Sequence, residues 1–132
     1  MPGLWSQLWR FGVSGVAALV VDAALLYLML AAGLGYFGGR AVSFLAAVWV
    51  TWQVNRRFTF RAQAQRASWD EWWRYLAAMA GGGAINYGAY TLAVLLLPRS
   101  SWTGLYGVAI GSAAGALVNF LSARAVIARP PP

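Results

Sequence analysis

Long apolar runs, separated by short polar segments, dominate the chain. Three of them, residues 11–34, 76–97 and 102–123, match the roughly 20 residues that a helix needs to cross a bilayer. A fourth run, residues 36–55, is weaker because Arg40 lies near its start, although a basic side chain can reach the headgroups from a helix end. The pattern predicts four transmembrane helices. The first run is too long for the apolar core of a signal peptide, and we expect it to be retained.

Composition supports a membrane protein. Of the 132 residues, 61% are hydrophobic and only 10% are charged, which is too apolar for a soluble domain of this size. Continuous apolar runs, without alternation, exclude a membrane β-barrel. The chain has no Cys and no His, which excludes disulfides, Cys or His metal sites, and Ser-His or Cys-His catalytic pairs. We therefore expect an all-α integral membrane protein without a metal, a cofactor or an enzymatic activity.

The arginines indicate the orientation of the chain. With four spans, two arginines (Arg40 and Arg99) fall on one side and eight on the other, which is the pattern of cytoplasmic loops. Both termini are therefore predicted to be cytoplasmic. The net charge of +7 then indicates a surface for lipid phosphates, and nucleic acid is not an expected partner. The eight arginines are Arg10, Arg56, Arg57, Arg61, Arg66, Arg74, Arg124 and Arg129.

The segment before the third apolar run is rich in tryptophan and charged residues. Ser68 followed by Glu71 fits a capping box, in which each side chain satisfies a backbone N–H at the start of a helix. The tryptophans and arginines of residues 66–75 are typical of a helix lying at the membrane surface. We predict a short interfacial helix before the third span, the alternative being that this segment is the cytoplasmic end of that span.

The sequence contains an internal repeat. Residues 9–11 (Trp-Arg-Phe) recur as residues 73–75 (Trp-Arg-Tyr), and the same offset of 64 takes Asp22 to Asn86. Residues 55–60 resemble residues 122–127 at an offset of 67, three residues longer than the first offset. We predict one domain, residues 1–132, built from two parallel two-helix repeats with halves of about 7–61 and 66–129.

Several polar residues lie at membrane depth. Asp22 is near the centre of the first span, where an ionised carboxylate costs about 2.5–3.5 kcal/mol on insertion scales. Such residues usually mark a substrate, ion or proton path, although hydrogen bonding between helices is an alternative. The predicted intramembrane polar path consists of Asp22, Asn86, Asn119, Tyr27 and Tyr90.

Small residues on the fourth span predict close helix packing. Gly107, Gly111 and Gly115 form two overlapping G-x-x-x-G steps, which allow the backbones of two helices to approach.

A second set of polar residues lies at the predicted cytoplasmic ends of the spans. Guanidinium groups bind phosphate oxygens in pairs, so these residues are candidates for a phosphate site. Ordinary topology signals are the alternative explanation for the arginines. The candidate residues are Arg10, Asn55, Arg56, Arg57, Arg74 and Arg124.

Three of these elements together resemble the GtrA-like family of small four-helix membrane proteins. They are Arg10-Phe11 before a span with a central acidic residue, the NRRFTF element of residues 55–60, and residues 73–75. The resemblance covers residues 7–127. Family members often close the second half with another Asn-Arg-Arg-like element, whereas this chain has Ser122-Ala123-Arg124, so only Arg124 is carried over.

The resemblance implies a flippase, or flippase subunit, that moves polyprenyl-phosphate-linked (undecaprenyl-phosphate) sugar across the bacterial inner membrane. The sugar would serve cell-surface polysaccharide, O-antigen or teichoic-acid glycosylation. Four helices can barely enclose a cavity, so we expect a homodimer or a complex with a membrane glycosyltransferase. Two alternatives remain open: a small multidrug-type proton-coupled antiporter, and a membrane anchor that recruits a glycosyltransferase.

Overall fold

The computed structural model describes residues 3–128, and that part of the chain is helical, without strands. Four α-helices follow one another: α1 (Leu4–Ala31), α2 (Tyr36–Val54), α3 (Trp69–Leu96) and α4 (Thr103–Ile127). A π-helical turn (Asn55–Thr59), called the π turn below, continues α2 directly. The all-α prediction is therefore confirmed. Residues 1–2 and 129–132 of the predicted domain, Arg129 among them, and the side chain of Arg40 lie outside the described part.

The chain forms two compact units. Among the described residues, the first contains residues 3–72 together with residues 127–128, and the second is Trp73–Val126. Helices α1 and α3 each have 28 residues. Helix α2 has 19 residues and is extended by the 5 of the π turn, against 25 in α4. The first helix of each predicted half thus has the same length, while the repeat and the parallel arrangement of its halves stay predictions.

Two of the described helices are long and apolar enough to cross a membrane: α1 and residues 105–127 of α4. The other two are less apolar because of particular residues. Helix α2 includes Arg40 and Gln53, and α3 includes the charged segment at its start and a run of glycines. The four-span arrangement therefore stays a prediction.

A glycine turn connects α1 to α2. The N–H of Gly33 donates to the carbonyl of Leu30 (3.1 Å), and the N–H of Leu34 donates to the carbonyl of Met29 (3.0 Å). This is the Schellman pattern, which needs a left-handed residue just past the helix, and Gly33 has a φ of +94°. The short turn makes α1 and α2 antiparallel neighbours, and both α2 and the π turn pack against α1.

The prediction of a separate interfacial helix before the third span is wrong. Residues 69–96 form one continuous helix, as in the alternative interpretation. Ser68 caps it as predicted, because its Oγ accepts the backbone N–H of Glu71 at 3.2 Å. The segment from Trp69 to Ala80 contains no Gly or Pro, so the capped start propagates into the apolar run without interruption.

Helices α3 and α4 approach each other closely at the predicted glycine stripe. A Cβ built on Gly111 would lie 2.6 Å from the main-chain oxygen of Asn86, and one on Gly115 would lie 2.7 Å from the Cβ of Asn86. At Gly107 the nearest atoms belong to Val94 (2.9 Å) and Tyr90 (3.0 Å). The contacts run in opposite directions along the two helices, which are therefore antiparallel. Each of these glycines occupies a position where a side chain does not fit.

Replacing Gly111 by Ala is expected to lower the free energy of unfolding by about 1–3 kcal/mol, the usual cost of overpacking. The new methyl group would collide with the Asn86 backbone, which cannot move without shifting α3. Gly83→Ala is the matched control, because a Cβ at Gly83 meets open space. This substitution also replaces a flexible glycine within the helix, so it should not lower the free energy of unfolding. The measurement is the thermal unfolding midpoint in detergent. Equal midpoints for the two variants would contradict the close packing.

Candidate functional site

The NRRFTF element folds as the π turn and its first following residue. The N–H of Phe60 donates to the carbonyl of Asn55 at 2.8 Å, five residues earlier, which is the defining π-helical bond. The wider turn shifts which side chains point inward. Asn55, Arg56 and Thr59 are buried, whereas Arg57 is exposed. Single π-helical turns occur frequently at functional sites, so the turn itself supports a site here.

Asn55 has a structural partner inside the turn. The Thr59 hydroxyl donates to Asn55 Oδ1 at 2.8 Å, and both residues are completely buried. This hydrogen bond joins the first and last residues of the π turn, so the amide oxygen helps to hold the turn closed.

Arg56 is held by an ion pair. Its Nε lies 2.9 Å from Glu71 Oε1, and the two side chains are each only 9% exposed. The same carboxylate oxygen accepts the indole N–H of Trp52 at 2.9 Å, and Arg56 Nη2 donates to the carbonyl of Gln65. The charge of Arg56 is therefore neutralised in place, and the pair fastens the start of α3 to the end of α2.

Arg10 stands over the outer part of the π turn. Its Nη1 donates to the carbonyl of Phe58 at 3.1 Å, and its guanidinium lies 5.0 Å from the Phe58 ring centre. The Trp9 ring meets the Phe58 ring edge-on at 5.5 Å. A cation on aromatic faces is held in position but keeps its charge. Arg10 therefore brings a second positive charge to the π turn that carries Arg57.

Two further arginines lie at one end of the second unit. Arg74 follows the first turn of α3, and Arg124 lies in the last turn of α4. The antiparallel register given by Gly107, Gly111 and Gly115 brings these two helix ends together, and both side chains are exposed. The structure thus groups the six predicted phosphate-site residues in two sets, one in each unit. Their role in phosphate binding stays a prediction.

The predicted polar path is also divided between the units. Asn86 and Tyr90 line the glycine contact with α4, and the amide oxygen of Asn119 occupies the space that a side chain at Gly82 would need. That oxygen is buried without a hydrogen-bond partner among the described residues. In the first unit Asp22 is half-buried, and Tyr27 is 74% exposed on α1.

Sequence reasoning did not find the aromatic cluster next to the π turn. Trp49 stands 5.1 Å from Trp52 and 4.9 Å from Trp72, both edge-on, and 6.1 Å from Trp69. The available signal was the spacing: the pairs 49/52 and 69/72 are each three residues apart, which places both members on one side of a helix. The role of Glu71 was also missed, because its capping position explained it locally.

The comparison with known proteins gives the family. A model of the GtrA/DPMS transmembrane domain matches residues 10–128. The chain belongs to the GtrA/DPMS family. The match includes the π turn, both arginine sets and the glycine stripe, and it confirms the resemblance stated from the sequence. It makes the chain a membrane protein domain and links it to polyprenyl-phosphate sugar translocation or glycosylation.

Arg56→Gln is expected to lower the free energy of unfolding by about 3–5 kcal/mol, because Glu71 would be left buried without its counter-charge. The adjacent Arg57→Gln is the matched control. Arg57 is exposed, and surface substitutions change stability by about 0.5 kcal/mol or less. Thermal unfolding in detergent, followed by tryptophan fluorescence, measures both. If the two variants unfold at the same temperature, the ion pair does not stabilise this GtrA/DPMS domain.

Proposed function

We propose that this GtrA/DPMS domain is a flippase, or flippase subunit, for polyprenyl-phosphate-linked sugar in the bacterial cytoplasmic membrane. The observation that carries the proposal is the different environment of the two adjacent arginines in the π turn. Arg56 is buried in an ion pair, and its neighbour Arg57 is exposed on the same fixed turn. A rigid turn that presents one guanidinium at the end of an apolar helix suits the recognition of a lipid phosphate at the membrane surface.

Phosphate chemistry favours Arg57 as the main ligand. A guanidinium offers a planar pair of N–H donors that matches two phosphate oxygens, and such charge-assisted bonds are about twice as strong as neutral ones. Arg10 adds charge next to it, because its guanidinium is held on Phe58 of the same turn. Asn55 and Arg56 act by shaping the turn. Arg74 and Arg124 provide a separate basic set in the second unit.

A flippase also needs to lower the cost of moving a charged, hydroxylated headgroup through hydrocarbon. Polar side chains at membrane depth do so by replacing some of the water that the headgroup loses. Asp22, Asn86 and Asn119 are the strongest candidates for this role, with Tyr27 and Tyr90 as hydroxyl donors. The domain itself is proposed to catalyse no covalent reaction. It would act as a homodimer or beside the membrane glycosyltransferase that makes the lipid-linked sugar.

Arg57→Ala is expected to slow leaflet exchange about tenfold to a hundredfold, which corresponds to losing one charged hydrogen-bonding partner. The assay uses purified protein in liposomes containing fluorescent polyprenyl-phosphate glucose, with exchange followed by reduction of the dye in the outer leaflet. Arg61→Ala is the control: Arg61 is also exposed and lies just beyond the π turn. Its exchange rate should stay within about twofold of the wild type.

Two outcomes would contradict this assignment. Equal exchange by the wild type and Arg57→Ala would remove Arg57 from the site. A wild-type protein that copurifies with a glycosyltransferase but exchanges no lipid, alone or with that enzyme, would replace the flippase with the membrane anchor.

The proposed topology has four spans with both termini in the cytoplasm. The chain has no Cys, so single cysteines can report the side of each loop. In right-side-out vesicles, Ser101→Cys should react with a membrane-impermeant maleimide, whereas Ala62→Cys should react only after the membrane is opened. Both positions are exposed. Immediate labelling of both positions would mean that α2 does not cross the bilayer and that only α1 and α4 do, whereas immediate labelling of Ala62→Cys alone would mean that the orientation is inverted.

A further inference from the structure

We propose that a pocket next to the π turn, walled by Trp49 and Trp69, binds the sugar ring of the lipid whose phosphate lies on Arg57. This inference rests on the proposed function, and it adds to the headgroup site a second subsite that selects lipids carrying a sugar. The pocket is formed entirely within the first unit. Its lining consists of Trp49, Trp52, Gln53, Ala67, Ser68 and Trp69.

The size of the pocket suits a single ring. It is a shallow depression of about 230 Å³ with a wide open side. Pockets for drug-sized ligands are usually about 300–1,000 Å³, so there is room for about one monosaccharide. The open side allows the remainder of the lipid to leave the pocket without threading through protein.

The walls of the pocket are aromatic, exposed and firmly supported. Trp69 is 69% exposed and Trp49 39% exposed, so both rings offer free surface. Their ring centres are 6.1 Å apart and their planes are tilted by 40°. Behind them, Trp52 and Trp72 are buried, and the Trp52 N–H is fixed on Glu71. A pyranose presents a face of C–H groups, and the negative face of an indole attracts such weakly positive hydrogens.

The rim of the pocket includes a polar residue, Gln53, on the helix that continues to Arg57. Gln53 is half-buried, and its amide forms no hydrogen bond with a described residue. An amide supplies both donors and acceptors, as sugar hydroxyls require. Gln53 lies four residues before Arg57 on the continuous helix formed by α2 and the π turn, which is an axial distance of about 5–6 Å. That separation suits a phosphate and the sugar bonded directly to it.

This rim distinguishes a sugar from an acyl chain as the occupant. A hydrocarbon tail would gain from the tryptophan rings, but it would bury the amide of Gln53 without a partner, which is unfavourable. A sugar can place its C–H face on the tryptophan rings and form hydrogen bonds to the Gln53 amide with its hydroxyls. The nearby Arg57 also favours the polar end of the lipid over its tail.

The test is a comparison of two kinds of lipid by isothermal titration calorimetry, with the full chain in nanodiscs. The probes are farnesyl phosphate, and farnesyl phosphate carrying glucose, galactose or mannose. We expect the wild type to bind at least one of the sugar-bearing lipids about fivefold to tenfold more tightly than farnesyl phosphate, which is the scale of one good aromatic contact. Trp69→Leu should lose this preference and keep its affinity for farnesyl phosphate.

Trp5→Leu is the matched control, because Trp5 is 85% exposed at the start of α1 and does not line the pocket. It should keep the wild-type preference, and Trp69→Phe should keep part of it, which separates stacking from a folding defect. Equal wild-type affinity for all the lipids, or an unchanged preference in Trp69→Leu, would overturn the sugar subsite while leaving the phosphate site intact. Failure of the wild type to bind any of the lipids would overturn both the subsite and the proposed function.

Discussion

The buried ion pair between Arg56 and Glu71 is the interaction on which the described first unit depends. It joins the end of α2 to the start of α3 across the intervening loop, with the two charged atoms 2.9 Å apart. Burying one such charge alone would cost several kcal/mol, so each residue requires the other. The Trp52 indole N–H donates a further hydrogen bond to Glu71, and the Gln65 carbonyl accepts one from Arg56.

This constraint explains why two adjacent arginines have different roles. In a regular α-helix, neighbours are separated by about 100° around the axis, and both could turn toward the membrane surface. Here the ion pair pulls Arg56 inward, the Thr59 hydroxyl closes the turn on Asn55, and Arg57 remains outside. The buried partners fix the backbone of the turn, and they thereby fix the position from which the Arg57 side chain leaves the helix.

The sequence predicted the helices well because their signal is local. An apolar run of sufficient length determines a helix by itself, and the glycines of α4 follow from their four-residue spacing. The π turn could not be predicted in this way. It contains Arg56, whose side chain pairs with Glu71 in the next helix. In the sequence, the capping position of Glu71 already explained that residue locally. Only half of the capping box formed as expected: Ser68 accepts the Glu71 N–H, whereas the Glu71 carboxylate binds Arg56. The Trp49–Trp69 pocket depends on the same long-range contact.

The two segments that the predicted repeat pairs differ in structure, and the ion pair accounts for the difference. Residues 55–59 form the π turn, whereas the corresponding residues 122–126 continue α4 as a regular helix. The first half has an Asn-Arg-Arg element and is followed by a helix whose first turn supplies Glu71. The second half has Ser122-Ala123-Arg124, in which Ala123 replaces the buried arginine and is itself fully buried. A small apolar residue needs no counter-charge, so the helix keeps its regular path. A single buried charge thus distinguishes the end of α2 from the end of α4.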